Sequence, residues 1–312
     1  MNSNKIILIS IFVVVVYVMI ISLSDTRTLY SRFVDVDQKY VLIGFGFFSL
    51  GYFVRSFRFV FMLRYMGIKI PIFKNIIIYF TGYAFSLTPG KVGEAVRSKY
   101  LKDEFQVSVV KSIPTVLAER YYDVVAVLSI IFVTIGLTET KSLLTYLCAV
   151  LLILVYIAVK KNITTKILSL LNRIKKLEWI QHKIIESVDT IEKLLQPKIF
   201  LQCSILTLVS WSVEAIGAYF VFKSFHLNIG MLKGVLTYVS TSLAGAATML
   251  PGGVGGTEAS LLGFLSIQGF SYNDSLGAVL LIRFFALWYV IIIGIVFTCI
   301  YKLNLRKSVR HG

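Results

Sequence analysis

Two arginines stand where a charge is costly to keep. Arg120 and Arg283 each lie inside a long apolar run, and each is followed by two aromatic residues, Tyr121-Tyr122 and Phe284-Phe285. Each is nine residues from the nearest charged residue outside its run, Lys111 and Asp274, which places it about 13 Å along a helix rising ~1.5 Å per residue. A charge at that depth costs about 2.5–3.5 kcal/mol on insertion scales, so it is retained with a partner or for a task. Carboxylates accompany both. Glu119 and Asp123 share one face of the Arg120 helix at i, i+4. Arg55 and Arg58 lie in another apolar run, and Glu214 in a further one. A planar guanidinium donates paired hydrogen bonds to phosphate. Buried arginines with competing carboxylates therefore suit a polar path for an anionic headgroup. The same residues could also neutralise one another and pin helices, Arg120 with Asp123 or Glu94 and Arg283 with Glu258.

The elements that must hold these residues are membrane helices. Of 312 residues, 57% are hydrophobic and 15% charged, where a soluble domain carries roughly a quarter charged. That excludes a soluble enzyme or nucleic-acid binder. The continuous apolar runs also exclude an outer-membrane barrel, whose strands alternate over about ten residues. The fold class is all-α and polytopic, with about six full spans at 5–23, 40–64, 110–137, 142–159, 198–222 and 273–301. The first run has no small-residue cleavage site after it and reads as an uncleaved helix. Two further apolar stretches, 73–88 and 231–250, each run into a Pro-Gly motif and read as broken re-entrant hairpins.

The net charge of +16 is concentrated in particular loops. Residues 160–198 hold nine Lys/Arg against four acidic residues, and the tail from Lys302 to Arg310 adds four basic residues. Segments 64–74 and 91–111 are also basic. These are expected on the cytoplasmic face of the plasma membrane. Segments 24–39, 138–141, 223–233 and 251–274 together sum to zero and are expected outside. Both termini are then cytoplasmic. Residues 160–197 place apolar side chains at helical spacing with lysines opposite, as an amphipathic segment on the inner surface does.

The chain repeats itself. Residues 88–95 read TPGKVGEA and residues 250–259 read LPGGVGGTEA. Arg120 follows Pro89 by 31 positions, and Arg283 follows Pro251 by 32. Upstream, Lys74 and Tyr79 match Lys233 and Tyr238 at an offset of 159, the offset that also pairs Arg55 with Glu214. The expected organisation is one transmembrane domain, 1–312, with repeat units 40–137 and 198–301 joined by helix 142–159 and segment 160–197. The expected topology inverts the second unit relative to the first. Inverted repeats with broken helices are a transporter design with a midplane site, and non-helical backbone at that depth implies a wet cavity. A helix beginning after each break would add backbone donors and a positive dipole end.

Other chemistries lack their residues. PGKVGE fails the P-loop spacing, and GGVGGTE has no strand–helix context for a dinucleotide site. Cys148, Cys203 and Cys299 fit no metal motif, and His182, His226 and His311 lie far apart. No cofactor, metal or catalytic activity is expected. Without a nucleotide-hydrolysing motif, transport would be passive or coupled to an ion or proton gradient, with Glu94, Glu258 and Asp123 able to carry protons.

TPGKVGEAVRSKYL at 88–101, Glu119-Arg120 and LPGGVGGTEASL at 250–261 resemble the lysylphosphatidylglycerol synthase transmembrane-region family, which includes the flippase portion of the bacterial multiple peptide resistance factor. The resemblance covers about 5–301. It implies two re-entrant hairpins and movement of a lipid or lipid-linked molecule between leaflets. The motifs carry over onto Pro89, Gly90, Gly93, Glu94 and Arg97, and onto Pro251, Gly252, Gly253, Gly255, Gly256 and Glu258. The glycines and prolines would supply hinges and backbone donors. Arg120, Arg283, Arg97, Arg55, Glu94, Glu258, Asp123 and Glu214 would form the substrate path. The soluble aminoacyl-transferase domain of fused members has no counterpart here, so the chain is not expected to make lysyl-lipid, and the headgroup does not carry over. Membrane lipids with anionic headgroups are the expected partners, nucleic acid is not, and a homo-oligomer is possible. The alternatives are a transporter of a small anion or ion, and an integral-membrane lipid or glycan transferase.

Overall fold

The computed structural model describes residues 3–88, 93–138, 150, 187 and 189–310, and every element among them is helical. All but residue 150 of the expected helix 142–159, and most of the amphipathic segment 160–197, lie outside the described residues. The elements are α1 (Ser3–Ser22), α2 (Thr26–Val34), α3 (Gln38–Tyr65), α4 (Ile72–Thr81), α5 (Val96–Phe105), α6 (Val109–Thr138), α7 (Pro197–Ser224), α8 (Met231–Ala247), α9 (Gly256–Ile267), α10 (Tyr272–Arg283) and α11 (Tyr289–Arg310).

Among the described residues, four helices are long and apolar enough to cross a membrane: Gln38–Tyr65, Val109–Leu137, Pro197–Ser224 and Tyr272–Leu303. A fifth span is reached if α1 and α2 count as one, although the chain bends by 92° between them. Local chemistry sets that bend. Asp25 caps α2, accepting from the Arg27 N–H at 3.1 Å and the Thr28 hydroxyl at 2.7 Å. The same device starts α10, where the Ser271 hydroxyl accepts from the Asp274 N–H at 3.2 Å.

The expected broken hairpins are present. α4 continues into a 3₁₀ turn at Gly82–Phe85, and α5 begins at Val96. α8 ends at Ala247, a 3₁₀ turn spans Pro251–Gly253, and α9 begins at Gly256. The arms of each hairpin pack on one another. At 10, 10, 17 and 12 residues, each arm is shorter than the roughly 20 residues a span requires. Small residues bring α8 and α9 together: a Cβ on Gly256 would lie 2.5 Å from Thr248 Cγ2.

The backbone divides into two compact units, one of Met1–Tyr52, Tyr83–Glu94 and Ser212–Val296, the other of Phe53–Gly82, Ala95–Trp211 and Phe297–Gly312. Each draws on both sequence repeats. The first has an apolar cluster of Val13, Val254, Leu287 and Ile291, flanked by Val16, Leu87 and Trp288. In the second, Phe59, Met62, Leu63, Ile78 and Leu101 are buried.

Antiparallel packing of α3 against α7 recurs inside each unit. In the first, a Cβ on Gly44 would lie 3.0 Å from the Gly217 carbonyl, and one on Gly51 would lie 2.5 Å from Glu214 Cγ. In the second, the Arg55 Nε donates to the Ser210 hydroxyl at 2.8 Å, and an Arg58 Nη donates to Thr207 at 2.9 Å. The 159-residue offset maps these contacts onto one another. The pair 55–210 becomes 214–51, and 58–207 becomes 217–48, where a Gly217 Cβ would lie 3.1 Å from Phe48. All four pairs lie in one antiparallel register of α3 against α7.

Candidate functional site

In the first unit, the second Pro-Gly break and Arg283 form one centre. Gly252, Gly253 and Gly255 have φ of +60°, +66° and +87°, a region that L side chains adopt at a cost of about 1–3 kcal/mol. This backbone turns the Gly252 carbonyl toward Arg283, whose Nη2 donates to it at 2.9 Å. Arg283 Nε donates to Glu258 Oε1 at 2.7 Å. Glu258 is the third residue of α9 and reaches back to accept the Gly255 N–H at 2.8 Å. Glu258 is completely buried and Arg283 is 5% exposed. The expected pair therefore exists. The break contributes a carbonyl to Arg283, and one of its amides is taken by Glu258.

Sequence reasoning missed a third member. The Tyr17 hydroxyl, from α1, donates to the same Glu258 oxygen at 2.8 Å. Trp288 Nε1 donates to the Tyr17 oxygen at 3.2 Å. Trp288 closes a π-helical turn, Phe284–Trp288, that begins immediately after Arg283. Such wide turns displace the local carbonyl register, and here the Phe285 carbonyl accepts the Tyr52 hydroxyl at 3.2 Å. Nothing in the run VVVVY marks Tyr17 as polar machinery.

The second unit holds a larger network. Arg58, fully buried, donates to Asp123 at 2.8 Å and lies 3.8 Å from Glu119. The i, i+4 carboxylates thus bracket Arg58 as well as flanking Arg120, whose guanidinium is 3.4 Å from Asp123. Trp211 Nε1 also donates to Asp123, at 3.3 Å. Arg97 makes a paired contact with Glu119, at 2.8 and 3.3 Å. Its guanidinium lies 5.0 Å from the Phe59 ring centre and 4.8 Å from that of Tyr79. Gly82 makes room for it, since a Cβ there would lie 2.8 Å from Arg97 Nε. Arg55 lies 4.6 Å over the Trp211 ring.

The two hairpins are therefore tied down with opposite polarity. The first presents arginine to a carboxylate on α6, through Arg97 and Glu119. The second presents a carboxylate to arginine on α10, through Glu258 and Arg283. Equating Arg120 with Arg283 from their spacing concealed this reversal.

The remaining predicted residues have settled places. Buried Glu94 is 3.5 Å from the Ser86 hydroxyl. Buried Glu214 accepts from Tyr238 at 3.4 Å. The Gly93 N–H donates to the Thr88 hydroxyl at 2.7 Å. Pro89 and Gly90 lie outside the described residues. Arg55, Arg58, Arg97 and Arg283 are buried, with Arg120 a third exposed. Against these five arginines stand five buried carboxylates: Glu94, Glu119, Asp123, Glu214 and Glu258. Among the described residues the four buried arginines and five buried carboxylates leave one net negative charge, which part-exposed Arg120 offsets.

Comparison with known proteins adds the family context. The model of the family described as lysylphosphatidylglycerol synthase TM region matches residues 6–294. A UPF0104 membrane protein of Methanocaldococcus jannaschii is 25% identical, over 72% of this chain and 97% of its own length. Another UPF0104 membrane protein, from Methanothermobacter thermautotrophicus, is 26% identical, over 67% of this chain and 70% of its own.

Proposed function

The chain belongs to the lysylphosphatidylglycerol synthase transmembrane-region family, and we propose that it moves an anionic phospholipid or lipid-linked molecule across the bilayer. It is embedded in the membrane. The plasma membrane and cytoplasmic termini follow from the basic loops as part of this proposal, and so does a carrier role in place of an enzymatic one.

The observation that carries the reading is the break at Pro251–Gly255. Its hairpin arms are too short to span, yet they hold a buried arginine against a single carboxylate. Among the described residues this guanidinium is anchored by the neutral Gly252 carbonyl and paired with one carboxylate, which an incoming anion could replace. A headgroup phosphate offers the geometry that Glu258 offers now. The headgroup would replace the carboxylate on Arg283 while its tails remain in the bilayer. Glu258 would reclaim Arg283 after release. The Arg97–Glu119 contact supports a corresponding step at the other hairpin.

The test is reconstitution into vesicles containing tail-labelled fluorescent phospholipids, with a membrane-impermeant quencher outside. Replacing Arg283 alone strands a buried carboxylate, which costs about 3–5 kcal/mol and confounds loss of transport with loss of fold. The informative variant is Arg283→Ala combined with Glu258→Gln. Rapid loss of protection with wild type, absent in a monodisperse double variant, supports the reading. Equal rates in both overturn it.

A further inference from the structure

We propose that Glu258 is the binding site of a transported proton, so that each phosphate charge passing Arg283 is accompanied by one proton. This rests on the function proposed above and names its co-substrate.

Charge balance requires something of this kind. Among the described residues, four buried arginines together with part-exposed Arg120 no more than balance five buried carboxylates. A phosphodiester carries one further negative charge, and an uncompensated buried charge costs several kcal/mol. Compensation must come from an incoming cation or from neutralising a resident carboxylate. No group of three or more His, Cys, Asp or Glu residues able to hold a metal ion occurs among the described residues.

The geometry selects Glu258. In the second unit, Glu119 contacts both Arg97 and Arg58, and Asp123 contacts both Arg58 and Arg120. Withdrawing one arginine leaves each carboxylate with another. Glu258 has one cationic partner among the described residues, Arg283. Among the described residues, Tyr17 on α1 and Arg283 on α10 are the titratable and charged groups in contact with it. α9 has no other charged residue, and Lys233, the single charged residue of α8, lies at that helix's opposite end from the break. When a phosphate oxygen takes Arg283 Nε, Glu258 loses the one cationic partner it has among the described residues.

The surrounding hydrogen bonds accommodate the neutral acid. Gly255 N–H can continue to donate to Oε2 while the proton resides on Oε1. Tyr17 can then reverse its hydroxyl and accept from the acid, because a phenol both donates and accepts. Trp288 Nε1 keeps the phenolic oxygen in place. The proton comes from water on the loading side. On release of the phosphate, the proton leaves to the opposite side and the ion pair re-forms. No electrons move and no covalent bond other than O–H changes.

The experiment measures transbilayer movement of tail-labelled phosphatidylglycerol in phosphatidylcholine vesicles, with equal pH on both sides, from pH 6 to pH 8. Protein-free vesicles at each pH set the baseline. The wild-type rate is expected to rise as pH falls, by up to roughly tenfold per unit, the limit for one proton. Glu258→Gln is expected to give a flat profile within about twofold. A flat wild-type profile, or an undiminished pH dependence in Glu258→Gln, overturns the proposal while leaving lipid movement intact. No movement by wild type at any pH overturns the transport reading together with the proposal. If Glu258→Gln does not fold, Tyr17→Phe decides, because it keeps the carboxylate and removes the hydroxyl that hydrogen-bonds to it in both protonation states. A displaced profile supports the assignment and an unchanged one overturns it.

Discussion

The hydroxyl of Tyr17 donates to the carboxylate of Glu258 at 2.8 Å, across 241 positions of sequence. The first helix, outside both repeats, thereby completes the centre that the second repeat builds. Tyr17→Phe removes this hydrogen bond and leaves Trp288 without its acceptor. Unsatisfied buried polar groups cost about 1–3 kcal/mol. The variant should melt measurably earlier than wild type in detergent, followed by intrinsic fluorescence.

Arg97 and Glu119 should show strong coupling. Either Arg97→Met or Glu119→Gln alone strands a buried partner, at about 3–5 kcal/mol. Together they should cost less than the sum of the singles. A double-mutant cycle on thermal stability measures the difference. Additive losses would mean that Glu119 is held mainly through Arg58.

Glycines of the same chain should respond in opposite senses to alanine. At Gly252, φ is +60° and a Cβ would sit 3.1 Å from Leu287 and Leu87, so Gly252→Ala should destabilise by about 1–3 kcal/mol. Gly46 lies inside α3, with nothing within 4 Å of its added Cβ. Gly46→Ala should be neutral or stabilise by about 0.5–1 kcal/mol. Thermal unfolding of the two variants side by side tests the contrast.

The cap of α2 should be sensitive to acid. The Thr28 hydroxyl and the Arg27 N–H hold the Asp25 carboxyl below its ordinary value of 3.8. A group depressed in the folded state contributes stability that is complete above its unfolded value and is lost as pH falls through the folded one. Protection of the α2 amides should therefore persist at neutral pH and decline below about pH 4. Asp25→Ala should remove that decline by exposing these amides at every pH, as read by hydrogen–deuterium exchange.

Among the described residues, the long helices, the break at Pro251–Gly255 and the Glu258–Arg283 pair were legible in the sequence, because each rests on local pattern or on repetition of rare residues. It did not show the network around Arg58. The signal was there in the i, i+4 spacing of Glu119 and Asp123, but Arg120 between them drew the assignment. The reversed polarity of the hairpins was hidden for a related reason. Glu119 and Arg120 are adjacent in sequence and point in different directions on a helix, so alignment to Arg283 favoured the residue of the same type. Tyr17 was not legible, since its role depends on packing across the whole length of the chain.

The exchange of partners between α3 and α7 bears on ancestry. A half-length precursor pairing antiparallel with a second copy would carry the same residue at both positions of each equivalent pair. Arg55 answers to Glu214, and Arg58 to Gly217, so neither pair is compatible with two identical copies. Whatever symmetry the two stretches share, it does not extend to charge: a chain made symmetric at positions 55 and 214 would set arginine against arginine or glutamate against glutamate, and would lose the present match of arginines to carboxylates.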